Sequence, residues 1–227
     1  MRPAHGDRLV SEAAGTGQRV RPKVLLFFDY ACAFCYVDRF RLERLSREYA
    51  AEVVPVPFEL RPEMPAEGFS AEAHALRHTE RVESYLRGLA RREGFPLRLP
   101  DHIPNTHRGL VMGEVARDAG DDVHALTHEA IFAAYFGEGR DIGRQDVLLD
   151  VAGAAGLDVA AVENAWRDGS YDARLRSFAR LAANLGVSST PSALVCNELL
   201  IGTRPYRQMA EAVERCLVTA GTAARDA

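Results

Sequence analysis

Two cysteines stand three positions apart in the segment FFDYACAFCYVDRF, residues 27–40, as Cys32 and Cys35 around Ala33-Phe34. A short apolar run, KVLLFF (23–28), precedes them. A helix-like pattern follows, with Phe34, Val37, Phe40, Leu42, Leu45 and Tyr49 spaced near the helical period. Cys32 therefore falls at a helix N-terminus, where unpaired N–H groups and the positive end of the dipole favour a thiolate over a thiol. Cys35 lies one turn further on and on the same side, so it can attack a mixed disulfide at Cys32 and release the reduced partner. The chemistry implied is thiol–disulfide exchange, with Cys32 as nucleophile and Cys35 as resolving thiol. A zinc site would need further ligands, and the chain has no second Cys-x-x-Cys and no Cys-x-x-His, so no metal is expected. Two inert core cysteines are the remaining reading, and it leaves the helix-terminus position of Cys32 without a use.

The elements around the pair set its position. KVLLFF reads as a buried strand, and EVVPVPFEL (52–60) as a second strand whose Pro55 and Pro57 suit an edge or irregular position. The short helical crossover between them makes the two strands parallel neighbours. From 70 to 186 the sequence becomes a succession of amphipathic stretches, read as helices beginning near Ser70, Asn105, Asp121, Gly143, Asp158 and Ser170, with stops at Gly94, Gly120, Gly137, Gly156 and Gly186. SALVC (192–196), an Asn-Glu turn and LLIG (199–202) read as a hairpin. TRPYRQMAEAVERCLVTAG (203–221) closes as a helix, with Pro205 near its first turn and Met209, Val213 and Cys216 on one face. The order is β-α-β, a helical insert, then β-β-α. This is an α/β chain with the element order of a thioredoxin fold carrying a large helical domain between its second and third strands. The expected divisions are an N-terminal extension (1–22), a first thioredoxin-like part (23–69), the inserted helical domain (70–186), a second thioredoxin-like part (187–218) and a tail (219–227).

Composition narrows the function classes. The chain has 227 residues, 47% of them hydrophobic, enough for a sizeable core. Its net charge is -4 and its 28 Lys and Arg residues are scattered, so neither nucleic acid nor an anionic membrane is implied as a partner. The first 22 residues hold no apolar stretch of signal-peptide length and nothing later approaches a membrane span, from which a cytoplasmic protein with a flexible N-terminal extension is expected. Four cysteines are too few for a disulfide framework, and a reducing cytoplasm keeps structural thiols reduced, so a close pair points to catalysis or metal binding.

The segments FFDYACAFCY, PFELRPEMPAEGFS, PNTHRGL, AYFGEGRDIGRQDVL and LGVSSTPSALVCNELLIGTRPY, taken in order across about residues 23 to 217, resemble the DsbA-like thioredoxin-fold family, and within it the cytoplasmic FrnE branch. Two features depart from the family pattern. Ala33-Phe34 stands where members often have Pro-Trp or Pro-Phe, which leaves the redox potential open, and SALVC is more polar at its start than the strand usual there. The resemblance implies that Thr190-Pro191 is the cis-proline position facing the cysteines, with the Thr190 backbone groups exposed to pair with an extended substrate. It also implies Phe34 as a substrate contact, disulfide-containing proteins or small molecules as partners, and no required cofactor. Glutathione is admitted as a reductant or co-substrate, and a homodimer is compatible with the family.

Other residues carry two readings each. Asp29 ends the first strand and is either a near-site acid that accepts a proton from Cys35 or plain punctuation. Asn105 reads as a helix N-cap that could also face the substrate groove. The pairs His74/His78 and His124/His128, spaced i, i+4, could hold a metal but are expected to be solvated or interface histidines. Cys196 and Cys216 are expected to be buried small hydrophobes rather than redox partners. The leading expectation is a cytoplasmic thiol–disulfide oxidoreductase or isomerase. Its rivals are a glutathione-dependent isomerase or transferase similar to 2-hydroxychromene-2-carboxylate isomerase or the kappa glutathione transferases, in which a second cysteine is not needed, and a non-enzymatic binding module or holdase presenting an apolar groove.

Overall fold

The computed structural model describes residues 21–71 and 78–223. The expected N-terminal extension therefore lies almost wholly outside the described residues, as does His74. Strand β1 (Lys23–Phe28) leads into helix α1 (Ala33–Tyr49), which returns to β2 (Glu52–Pro57) through Ala50 in the left-handed conformation. The two strands pair in parallel, Lys23 opposite Glu52 through Phe28 opposite Pro57. β5 (Ser192–Val195) pairs antiparallel with the other side of β1, and β6 (Glu198–Ile201) follows it, giving the order β2-β1-β5-β6. β2 is thus an edge, where the missing N–H groups of Pro55 and Pro57 cost no ladder partner. Helix α8 (Tyr206–Ala223) follows, entered through Pro205.

Alternation along β1 divides the core between the two faces of this sheet. Val24 and Leu26 meet Leu42 and Leu45 of α1 and Met209 and Val213 of α8, whereas Phe27 meets Val56, Ala182 and Val187. The second group includes helix α7 (Asp172–Leu185), which packs Phe178 and Leu185 on that face although it follows the other inserted helices in sequence. Helices α2 (Glu80–Glu93), α3 (His107–Ala119), α4 (Asp121–Phe132), α5 (Gln145–Ala154) and α6 (Val159–Asp168) form the rest of the helical part. Their apolar faces share one continuous cluster with Phe28, Tyr30, Tyr36 and both cysteines of the motif. The helical part is therefore packed directly on the redox segment.

Several boundaries differ from the sequence expectation. Ser70 does not start a helix; with Phe69 it forms the short strand β3, paired with β4 (His102–Ile103), and two residues are too few to leave a periodic signal. The helix after it begins at Glu80, capped by the Thr79 hydroxyl, which accepts from Val82 N at 3.4 Å. Asn105 is not the cap of α3; Thr106 occupies that position. Gly137 is not a stop, because α4 continues into a wider π-type turn (Ala133–Glu138) that ends at Gly139, with φ 79°. The hairpin turns at Cys196-Asn197 rather than at Asn-Glu, with Cys196 itself at φ 53°.

Candidate active site

Cys32 caps helix α1 with its own side chain: its Sγ accepts from Cys35 N at 3.2 Å, so a free helix-terminal amide is aimed at the sulfur. The Cys32 amide in turn donates to the Asp29 carbonyl at 3.1 Å and its carbonyl accepts from Tyr36 N at 3.2 Å. From the other half of the sheet, the Thr190 carbonyl accepts from the Cys32 thiol at 3.4 Å, and the Thr190-Pro191 bond is cis. Both cysteines are free thiols. Cys32 retains 7% exposure and Cys35 only 1%, so the first sulfur is the one an incoming group can reach. Burial, followed by the adjacent Cys32 sulfur, pushes the Cys35 thiol well above its ordinary value. The Thr190 hydroxyl opposes this. It lies buried beside the pair with no hydrogen-bond partner in place, so it is free to turn toward a Cys35 thiolate as one forms, which lowers the cost of that charge.

The segment that carries Cys32 is held from beneath by Asp29. Its buried carboxylate accepts from Ala31 N at 2.9 Å and from Leu60 N at 2.7 Å, with the Thr106 hydroxyl as a third donor. One side chain thus joins the turn before α1, the strand exit after β2 and the start of α3. Burial raises the Asp29 carboxyl above the ordinary value, and these donors only partly offset that.

Around the motif, Phe34 is partly buried and meets His78 edge to face at 6.0 Å. Ala31 and His78 share a small cleft with Leu99, Tyr135 and Phe136. Asn105 does not reach the cysteines through its hydrogen bonds: Oδ1 accepts from His107 N at 3.0 Å and Nδ2 donates to the Met64 carbonyl at 2.8 Å, pinning the loop after β2 to the start of α3. His107 bridges Glu59 and Asp172, each at 3.3 Å, and these carboxylates raise its pKa.

The His124/His128 pair is not solvated. Both rings are buried, with His128 Nδ1 3.1 Å from Tyr30 Oη and the His128 ring against Phe28 and Phe132. Desolvation draws their pKa values down to about 4 and about 3. Among the described residues no three metal-ligating side chains converge. Cys196 and Cys216 are also not separate core hydrophobes: they form a disulfide, with Cα atoms 6.1 Å apart. Spacing alone could not reveal this, because the two partners are brought together by the hairpin and the last helix.

Sequence reading also passed over Asp38, a buried carboxyl one turn beyond Cys35. Burial raises its pKa to about 6 despite an ion pair with Arg41 at 2.8 Å. It shares a small internal space with Pro191, Leu26 and Met209. The signal was an acidic residue on the apolar side of α1.

A model of the DSBA-like thioredoxin domain matches residues 23–214. The chain belongs to this family. Among solved structures, it is similar to a probable DsbA oxidoreductase from Streptomyces coelicolor, with a TM-score of 0.76 and 24% identity, covering 86% of this chain and 89% of that one. A 2-hydroxychromene-2-carboxylate isomerase aligns with a TM-score of 0.71 and 19% identity over 88% of this chain and 98% of that one. The cytosolic disulfide reductase DsbM of Pseudomonas aeruginosa, solved with glutathione, aligns with a TM-score of 0.57 and 19% identity over 89% and 99% of the two chains. At these identities the likeness is one of fold.

Proposed function

We propose that this DsbA-like protein is a thiol–disulfide oxidoreductase or isomerase acting on protein or small-molecule disulfides, of the cytoplasmic FrnE branch. The observation that carries the reading is the asymmetry of the pair: a Cys32 sulfur at a helix terminus under an aimed amide, next to a Cys35 sulfur that is more deeply buried. In the reaction, the Cys32 thiolate attacks one sulfur of a substrate disulfide, forms a mixed disulfide and releases the other sulfur as a thiol. Cys35 then gives up its proton and attacks the Cys32 sulfur. The second substrate thiol leaves, and the protein is left with a Cys32–Cys35 disulfide. Asp29 takes the proton from Cys35, besides holding the turn. An extended substrate lies along Thr190 and Pro191 and against Phe34, with Asn105 at the groove's far wall. Glutathione serves as reductant or co-substrate, a role supported by the glutathione-bound DsbM of the same fold.

Replacing Cys35 by Ser tests this directly. Attack at Cys32 should proceed and release should not, so intact mass after incubation with oxidised glutathione shows one adduct on Cys32, and insulin reduction is lost. A Cys35→Ser variant with full disulfide-reductase turnover overturns the proposal. Full-rate glutathione-dependent isomerisation by that variant would favour an isomerase like the 2-hydroxychromene-2-carboxylate enzyme, for which Cys35 has no use.

A further inference from the structure

We propose that Cys196–Cys216 is a second thiol–disulfide exchange site, separate from Cys32 and Cys35 and open to low-molecular-weight thiols. Three observations carry it. The disulfide is accessible: Cys196 sits in the exposed hairpin turn and Cys216 is half-buried. A cavity of about 440 Å³ lies directly against it, lined also by Asn197, Glu198, Ala212 and Arg215, within the range of small-ligand sites, roughly 300–1,000 Å³. It also lies at the far end of the sheet from the first pair. Cys196 N donates to the Lys23 carbonyl at the start of β1, whereas Cys32 follows the end of that strand and Pro191 precedes the opposite end of β5.

The fold does not depend on this bond to join the hairpin to α8. Met209, Ala212 and Val213 pack on Val195 and Leu200, and Arg215 holds Glu198 through paired contacts of 2.8 and 3.0 Å. Opening the disulfide therefore leaves both elements in place with their sulfurs facing each other, as reversible exchange requires.

In the exchange, a thiolate attacks the sulfur of Cys196, the more exposed residue of the two, forming a mixed disulfide and releasing Cys216 as a thiolate that takes up a proton. A second thiolate attacks the incoming sulfur of that mixed disulfide. Cys196 leaves as a thiolate and is protonated, and the two small thiols depart as their own disulfide. Two electrons pass from the two thiols to the protein pair and open the bond; the same steps run in reverse, with the small disulfide as oxidant, close it.

The test uses the full chain in buffers of graded reduced to oxidised glutathione, quenched with acid, alkylated and read by peptide mass spectrometry. Cys196 and Cys216 should titrate together and reversibly while the helical circular-dichroism signal stays constant. In a Cys216→Ser variant, oxidised glutathione should add once to Cys196. A pair that stays oxidised in the most reducing buffer, or opens only as the helical signal is lost, overturns the proposal. The same titration on a Cys32→Ser, Cys35→Ser double variant separates the two sites. Unchanged exchange at Cys196–Cys216 is expected whatever the first pair does, and its loss in that variant overturns the claim of an independent site.

Discussion

The Cys32 sulfur lies 3.4 Å from the carbonyl oxygen of Thr190, a residue 158 positions away. The contact joins the two halves of the thioredoxin-like part, which the inserted helices separate in sequence. A substrate pairing with the Thr190 backbone would thereby be delivered to the Cys32 sulfur, the outer one of the pair.

Alkylation should follow that arrangement. At neutral pH iodoacetamide is expected to label Cys32 first and Cys35 many times more slowly, because Cys35 is inaccessible and burial holds it as a thiol. Cys196 and Cys216 should label only after prior reduction. Timed quenching with peptide mass spectrometry gives the order, and equal rates at Cys32 and Cys35 would contradict the assigned roles.

Asp29→Ala should cost about 2 kcal/mol in urea unfolding, since it strands the part-buried amides of Ala31 and Leu60, each worth about 1 kcal/mol at the low end of the penalty for an unsatisfied group. Asp29→Asn keeps one acceptor oxygen and should cost less. If Asp29 also receives the Cys35 proton, the Asn variant slows resolution of the mixed disulfide more than it slows the first attack on substrate. Stopped-flow measurement of the two steps distinguishes this from a purely structural role, which would leave their ratio unchanged.

Much of this architecture was legible because it rests on local signals. An apolar run followed by a helical period placed β1 and α1, two prolines placed β2 at an edge, and the helix start distinguished Cys32 from Cys35. What stayed hidden depends on long-range assembly. The Asp29 carboxylate is satisfied by Leu60, 31 residues away, and no spacing rule connects them. Cys196 and Cys216 meet only because α8 folds back over the hairpin. The histidines of α4 read as polar, yet Tyr30 and Phe28 bury one of them. Asn105 lies one position before the cap because its side-chain Oδ1 serves the first amide of α3 from outside the cap.

At pH 8 Arg41→Ala should destabilise by about 3 kcal/mol, because removing one partner of a largely buried pair leaves the Asp38 charge uncompensated. The Asp38 side chain is 4% exposed and Arg41 14%, so solvent cannot substitute. The sign with pH follows from Asp38, whose folded pKa of about 6 lies above its ordinary value of 3.8. Its carboxyl favours the folded state below the unfolded pKa, and that contribution is lost as pH rises through about 6. Without Arg41 the loss deepens, so the variant should fall further behind the parent at pH 8 than at pH 5. Asp38→Asn in the Arg41→Ala background should recover part of the deficit at pH 8, and equal deficits at both pH values would remove Asp38 from the explanation.

His128 supplies the opposite dependence. Its folded pKa of about 3 lies below the ordinary 6.5, since the ring is desolvated and His124, Arg117 and Arg39 add positive charge nearby. The folded state therefore binds fewer protons than the unfolded chain between these values. The neutral ring's contribution is fully present above 6.5 and is lost as pH falls. At pH 5 that loss is about 2 kcal/mol, from roughly 1.4 kcal/mol for each unit below 6.5. Asp38 and Asp29, both raised, act against it, and His124, lowered to about 4, acts with it, so the parent's overall slope mixes these effects. A His128→Gln variant isolates the histidine. It removes the titrating group while an amide can still meet Tyr30, whose hydroxyl lies 3.1 Å from the native ring nitrogen. Unfolding free energies at pH 7 and pH 5 should show the parent losing about 2 kcal/mol more than the variant across that interval. Parallel changes in the two proteins would mean that His128 is protonated without penalty in the folded state, and that the aromatic contacts around it do not exclude water.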